Sequence, residues 1–327
     1  MKEKLPFEDI EREILIRRKS ETSDKFGSDP KKRPVEQLIE YGIINVNKPK
    51  GPTSHQVSSF VQNILNINKS GHSGTLDPKV TGVLPVALGK ATRIVNFLLP
   101  AGKEYICLMH LHDDYDEYII RKIMSEFVGK IDQLPPIKSA VKRQVRQRKI
   151  YYITVHEIIG RDVLFTVGCQ AGTYIRKLCH DIGKKLGSGG HMTQLIRTKA
   201  GPFNIETSWT LQDLNDSFHY YKEGNDKFIK KIILPIEKAI SHLPKIWIMD
   251  TTVDTLTHGA DLSIPGIVKL ESGIRENDNV AILTLKDELV CVGKARISSE
   301  QMLGDKGRAV KTEKVFMESG IYPKFSR

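Results

Sequence analysis

The sequence predicts an α+β protein: a mixed, largely antiparallel sheet with flanking helices, followed by a small C-terminal β-barrel. Three observations lead there. Strand-like and helix-like stretches intermingle over residues 39–242. Within them, Tyr151–Ile159 and Val163–Val167 flank Gly160-Arg161-Asp162, a tight turn that makes an antiparallel pair rather than a parallel crossover. Beyond Leu243-Pro244-Lys245 the strands become short, with Gly259, Gly266, Gly273 and Gly293 as punctuation, the pattern of a small barrel. A chain of 327 residues also suits two domains better than one core. The expected division is a charged arm over 1–38 packing on the C-terminal domain, a sheet domain over 39–242 and a barrel over 243–327.

The elements follow in order. The arm ends in Asp29-Pro30-Lys31-Lys32-Arg33-Pro34, too charged and too proline-broken for core. Tyr41-Gly42-Ile43-Ile44-Asn45-Val46 reads as a buried strand that stops at Lys48-Pro49-Lys50-Gly51-Pro52. Thr53 or Ser54 can then cap a helix, because Val57, Phe60, Val61, Ile64 and Leu65 form one apolar stripe. A glycine-rich stretch over 71–82 precedes an apolar segment from Val83 to Leu99. Lys103 to Leu111 alternates as a strand, and Ile119, Ile120, Ile123, Met124 and Phe127 mark a helix. After the hairpin, Ile175, Leu178, Cys179, Ile182 and Leu186 repeat with helical spacing. The barrel strands are Ile246–Ile248, Ile267–Leu270, Val280–Leu285 and Leu289–Val292.

Composition narrows the function classes. Fifty Lys and Arg against 39 Asp and Glu leave a net charge of +11, which suits a polyanionic partner or a merely solvated basic surface. Cys107, Cys169, Cys179 and Cys291 make no C-x-x-C pair, against a zinc ribbon or a disulfide framework and in keeping with a reducing cytoplasm. The opening MKEKLPFEDIEREILIRRKS has no apolar signal core, and no run approaches the roughly 18 apolar residues of a membrane helix. A cytoplasmic protein without membrane contact is expected.

The loop Gly71-His72-Ser73-Gly74-Thr75-Leu76-Asp77-Pro78 is the richest candidate site. Its glycines let the backbone bend around one acid, Asp77, and Pro78 stiffens the chain behind it. It lacks the Gly-Lys-Ser/Thr ending of a phosphate loop, and its spacing does not match a dinucleotide fingerprint. On these grounds alone a plain surface loop with an incidental aspartate stays open.

The order of residues resolves more. GHSGTLDPKVTGVLPVALGKATR resembles the signature of the TruB family of pseudouridine synthases, with matching elements before and after it. Upstream stands Lys48-Pro49-Lys50-Gly51-Pro52-Thr53-Ser54, and downstream Lys103-Glu104-Tyr105 and Gly172-Thr173-Tyr174-Ile175-Arg176-Lys177-Leu178. Leu195-Ile196-Arg197-Thr198 with Gly201-Pro202-Phe203 resembles the closing run. Leu134-Pro135-Pro136, Ser139-Ala140-Val141-Lys142-Arg143, Thr257-His258-Gly259-Ala260-Asp261-Leu262 and Pro265-Gly266-Ile267 resemble the archaeal and eukaryotic branch, to which dyskerin belongs. That branch ends in a PUA domain, a small RNA-binding barrel. The end at Lys324-Phe325-Ser326-Arg327, without a long lysine-rich tail, points to an archaeal member.

The resemblance implies isomerisation of uridine to pseudouridine in RNA, which needs no metal or organic cofactor because no electrons or phosphoryl groups move. It assigns Asp77 as the catalytic carboxylate, comparable to the acids that act on glycosidic bonds, as nucleophile or as base. Arg176 is its ion-pair partner, offsetting the desolvation of a closed site. Tyr105 is the stacking platform for the base and a candidate for the C5 proton, with Leu178 pressing the other face. His72 fills the gap left by the displaced nucleotide. Lys142, Arg143, Arg146 and Arg148, with Lys138 and Lys149, grip substrate RNA; a solvated basic turn is the alternative. His55 reads as an ordinary helix-surface histidine, and His110 and His112 as strand neighbours. The implied partners are a box H/ACA guide RNA, ribosomal RNA and tRNA substrates, and small proteins of that particle including a kink-turn-binding protein. A guide-independent synthase of the tRNA T-loop and a non-catalytic RNA scaffold remain the alternatives.

Overall fold

Two sheets organise the chain in this computed structural model, which describes residues 3–135 and 142–324. The larger runs Ile233–Pro235, Gly42–Lys48, Thr81–Leu88, Gly190–Ala200, Lys103–Leu111, Asp162–Cys169, Arg146–Ile159 and Gly129–Gln133. Ser70–His72 pairs with Thr81–Leu88, and Phe203–Asn204 with Gly190–Ala200. Among the described residues its ladders are antiparallel except the short one joining Thr81–Leu88 to Gly190–Ala200. That exception is close: Gly82 has φ +104°, and a Cβ there would stand 2.2 Å from the Arg197 carbonyl oxygen. Only glycine lets these strands meet.

The smaller sheet runs Ile14–Ile16, Ile267–Glu271, Lys245–Ile248, Asn279–Leu283, Leu289–Ala295, Arg308–Val315 and Leu262–Ser263. Its first strand comes from the N-terminal segment, pairing Leu15 with Leu270. That segment straps both halves together. Leu5 is buried, Glu8 reaches Lys199 of the large sheet at 3.0 Å, and Arg33 clasps Glu237 with two hydrogen bonds. One apolar cluster spans the junction, with Phe97, Phe203 and Ile240 from one side and Trp247, Leu283 and Phe316 from the other.

Local rules account for the helices that bear on the site. Ser54–Leu65 starts at a capping box in which Thr53 Oγ1 accepts from the Gln56 amide and Gln56 Oε1 from the Thr53 amide. It stops at Asn66, in the left-handed conformation. Ile175–Leu186 buries Ile175, Leu178, Cys179 and Ile182 and ends at Gly187. The strand Arg146–Ile159 starts five residues earlier than alternation predicts, because Gly129–Gln133 pairs with its basic beginning. Gly190–Ala200, Arg308–Val315 and the helix Leu211–Lys222 were not expected from periodicity; each carries many polar residues and is fixed by distant partners. Among the described residues no helix is long and apolar enough to cross a membrane.

Candidate active site

The loop carrying Asp77 is pinned from four directions. The Ser73 amide donates to Pro85 O at 3.0 Å. Ser54, buried in the first turn of its helix, accepts from the Leu76 amide at 2.8 Å and donates to the Leu76 carbonyl at 3.2 Å. Lys48 is fully buried and donates to the carbonyls of Pro49, Pro78 and Val80 at 2.9, 3.2 and 2.9 Å. Arg197, 2% exposed, donates to Val83 O at 2.7 Å and to Gly74 O at 3.2 Å. Burial lowers the pKa of Lys48, and the Asp77 carboxylate opposes that shift. The backbone is thus held while the Asp77 side chain stays 56% exposed.

Arg176 meets Asp77 across 99 residues of chain, with Nη2 2.5 Å from Oδ2. An ion pair this open contributes little to stability; its effect is to orient the carboxylate. The turn before Arg176 is held in its own right. Buried Gln133 brackets Tyr174, donating to its carbonyl at 3.2 Å and accepting from its amide at 2.9 Å. Arg148 lies over Gly172, where a Cβ would stand 3.1 Å from the guanidinium.

Tyr105 sits opposite Arg197 in the ladder between Lys103–Leu111 and Gly190–Ala200. Burial raises its hydroxyl pKa, Arg197 pulls the other way, and Asp77 is near enough to add to the rise. Asp77, Arg176, Tyr105 and Arg197 therefore share one neighbourhood. Leu178 departs from expectation. It has no exposed surface and packs among Cys107, Phe165, Val167 and Ile175, because it lies on the apolar stripe of its helix. It cannot press a base in this conformation. Leu195, two residues before Arg197 on the strand beside Tyr105, is partly buried and packs against the same core cluster.

His72 ends the strand Ser70–His72, half-buried, with Nε2 3.3 Å from His55 Nδ1. Burial, then His55 and Arg197, lower its pKa. The basic run divides. Arg146 and Arg148 are half-buried on a strand beside the turn that carries Arg176, whereas Lys142 and Arg143 are exposed in an irregular segment. Lys138, Pro136 and Ser139-Ala140-Val141 lie outside the described residues. His110, His112 and His191 gather at the far end of the sheet, with His112 Nε2 3.0 Å from His191 Nδ1. Among the described residues no group of three or more His, Cys, Asp or Glu is arranged to hold a metal ion. A cavity of about 410 Å³ lies away from Asp77, under the N-terminal strap; Glu40, Glu237 and Glu288 in its wall are engaged by Lys90, Arg33 and Tyr322.

Comparison with known proteins places this geometry. Family models match in sequence: a DKCLD domain over 2–58, the N-terminal domain of TruB family pseudouridylate synthase over 62–175, the tRNA pseudouridylate synthase B C-terminal domain over 176–241 and a PUA domain over 244–316. A probable tRNA pseudouridine synthase B of Pyrococcus abyssi is 58% identical over 97% of this chain and 96% of its own. The chain belongs to the TruB family of pseudouridine synthases. Two solved structures are similar throughout. One, a Cbf5-Nop10-Gar1 complex, aligns with TM-score 0.94 and 57% identity over 98% of each chain. The other, an H/ACA RNP bound to a substrate RNA containing 2′-deoxyuridine, aligns with TM-score 0.93 and 54% identity over 98% of this chain and 99% of that one.

Within this TruB-family frame, the motif residues Asp77, Tyr105 and Arg176 converge, while Leu178 stays in the core. Lys48, Ser54, Gln133 and Arg197 support the site, a role to which the sequence reading assigns none of them. Lys48, Ser54 and Arg197 stand in the quoted motifs, so their position was a signal; a polar side chain at an apolar packing position, as at Gln133, shows only in three dimensions.

Proposed function

We propose that this chain is the catalytic subunit of a guide-RNA-directed pseudouridylation particle. The observation that carries the reading is the Asp77–Arg176 pair on a loop whose backbone is otherwise immobilised, with Tyr105 alongside. In the reaction the N1–C1′ bond of uridine breaks, the freed uracil turns, and C5 joins C1′; the C5 proton passes to a base or solvent and N1 takes up a proton, so the product is an isomer of the substrate. Asp77 works beside the sugar, as nucleophile or as base, held by Arg176. The Tyr105 ring stacks on the base, and its hydroxyl, kept protonated by a raised pKa, lies within the same site. His72 enters the space left by the displaced nucleotide. Lys142, Arg143, Arg146 and Arg148 contact substrate phosphates.

The domain reading is an arm over 1–38, a synthase domain over 39–242 and a PUA domain over 243–327 that holds the guide RNA. Box H/ACA guide RNA supplies target choice on ribosomal RNA by pairing with the target. Partners are small proteins such as the Nop10 and Gar1 of the related complex, with a kink-turn-binding protein. Four buried, unpaired cysteines support a cytoplasmic location. The curated relatives' naming as tRNA enzymes supports a second reading, guide-independent action on the tRNA T-loop.

Tritium release from C5-labelled uridine, on ribosomal and tRNA substrates with and without guide RNA and partners, separates these readings. Asp77→Ala should abolish release while RNA binding persists. Undiminished release would sink the mechanism, and release from bare tRNA by the chain alone would favour the second reading.

A further inference from the structure

His55 reads from sequence as an ordinary helix-surface residue, yet its ring stands edge-on to His72, with centroids 5.1 Å apart, planes at 81° and Nδ1 3.3 Å from His72 Nε2. The other ring nitrogen of His72, Nδ1, is buried without a partner. A buried donor without an acceptor is rarer and costlier than an unused acceptor. The ring proton of neutral His72 therefore belongs on Nε2, where it donates to His55 Nδ1, leaving a lone pair on the buried nitrogen.

We propose that His55 is the positioning residue for His72, accepting this hydrogen bond so that the ring waits in the orientation in which it enters the displaced nucleotide's place. The inference rests on the reading of His72 given above. Two features make His55 suited to it. It sits in the first turn of Ser54–Leu65, whose start is fixed by the Thr53–Gln56 capping box. The residue before it, Ser54, grips Leu76 one position from Asp77. The same turn thus sets both the catalytic loop and the His72 ring. An imidazole otherwise turns broadly about χ2, so the bond removes freedom before RNA arrives. The Arg197 cation also acts on His72 and favours the neutral ring that the bond requires. The neighbouring strand Thr81–Leu88 carries no titratable side chain.

The test uses the full chain labelled with ¹⁵N-histidine, and the same protein assembled with guide and substrate RNA. Nitrogen chemical shifts should report His72 as the Nε2–H tautomer. His55→Asn, which keeps an acceptor near the place of Nδ1, should preserve that tautomer and the turnover rate. His55→Leu should mix the tautomers and slow single-turnover tritium release about two- to tenfold at saturating RNA, the loss of one hydrogen bond, with RNA affinity unchanged. A wild-type tautomer and rate in His55→Leu, or equal slowing in His55→Asn and His55→Leu, would overturn the proposal. The tautomer measurement needs no turnover, so it stands apart from the Asp77→Ala result that judges the proposed function.

Discussion

The two sheets bury different kinds of polar group. In the large one Lys48, Lys103 and Arg197 lie inside, together with Gln133 and Ser54, and all but Lys103 brace the segments that carry Asp77 and Arg176. In the small one the buried carboxylates among the described residues are Asp254 and Glu288. Glu288 ties Tyr322 at 2.6 Å and the Ser28 amide at 2.9 Å, joining a terminal segment and the N-terminal strap. Buried cations donate to backbone carbonyls and can hold an irregular loop without sheet pairing. Buried Glu288 instead gathers an amide and hydroxyls and closes a seam between segments. The first arrangement holds a reactive carboxylate in the open; the second holds the protein together.

Three substitutions test that contrast, from the largest expected effect down. Arg197→Met leaves Gly74 and Val83 carbonyls without donors in a buried place. At about 1–3 kcal/mol for each orphaned group, the denaturation midpoint should fall sharply, with loss of tritium release. Wild-type stability would show that the guanidinium does not brace the loop.

The second tests the junction between the sheets. His242 donates through Nε2 to Phe97 O at 3.1 Å, and burial above all pulls its pKa down to about 4. The unfolded histidine binds a proton near pH 6.5, so stability present above that value is lost as pH falls towards 4. The loss is at most about 3 kcal/mol. Replacement by Leu should flatten this part of the curve of stability against pH, measured by urea unfolding; an unchanged slope would place its origin elsewhere.

The smallest effect belongs to the seam. Glu288→Ala should cost about 1–3 kcal/mol by stranding the buried Tyr322 hydroxyl, whereas the Ser28 amide, on an exposed residue, can turn to water. Tritium release at saturating RNA should stay as in the wild type. Reduced release would mean that the seam and the site are coupled.

Much of the fold is legible in the sequence where the signal is local. The stripe Ile175, Leu178, Cys179, Ile182 marked its helix correctly, and Lys103–Leu111 alternated over the length of its strand. Gly190–Ala200 escaped because its pairing with Lys103–Leu111 and Thr81–Leu88 is what makes it a strand. Leu178 shows the limit of a motif: the family resemblance sets it against the base, but helical geometry turns it away from Arg176 and into the core. His55 escaped because a lone histidine on a helix carries no signal until a second ring stands against it.

By itself the sequence determined the family resemblance, the bent loop around Asp77, the helix register that exposes Arg176 and the basic balance suited to RNA. Those properties are set by neighbours along the chain. The tertiary structure decided that Arg176 reaches Asp77 across 99 residues, that Arg197 lies buried opposite Tyr105, and that His55 meets His72. Such meetings depend on strand order, register and a glycine-only contact at Gly82, which no local periodicity encodes.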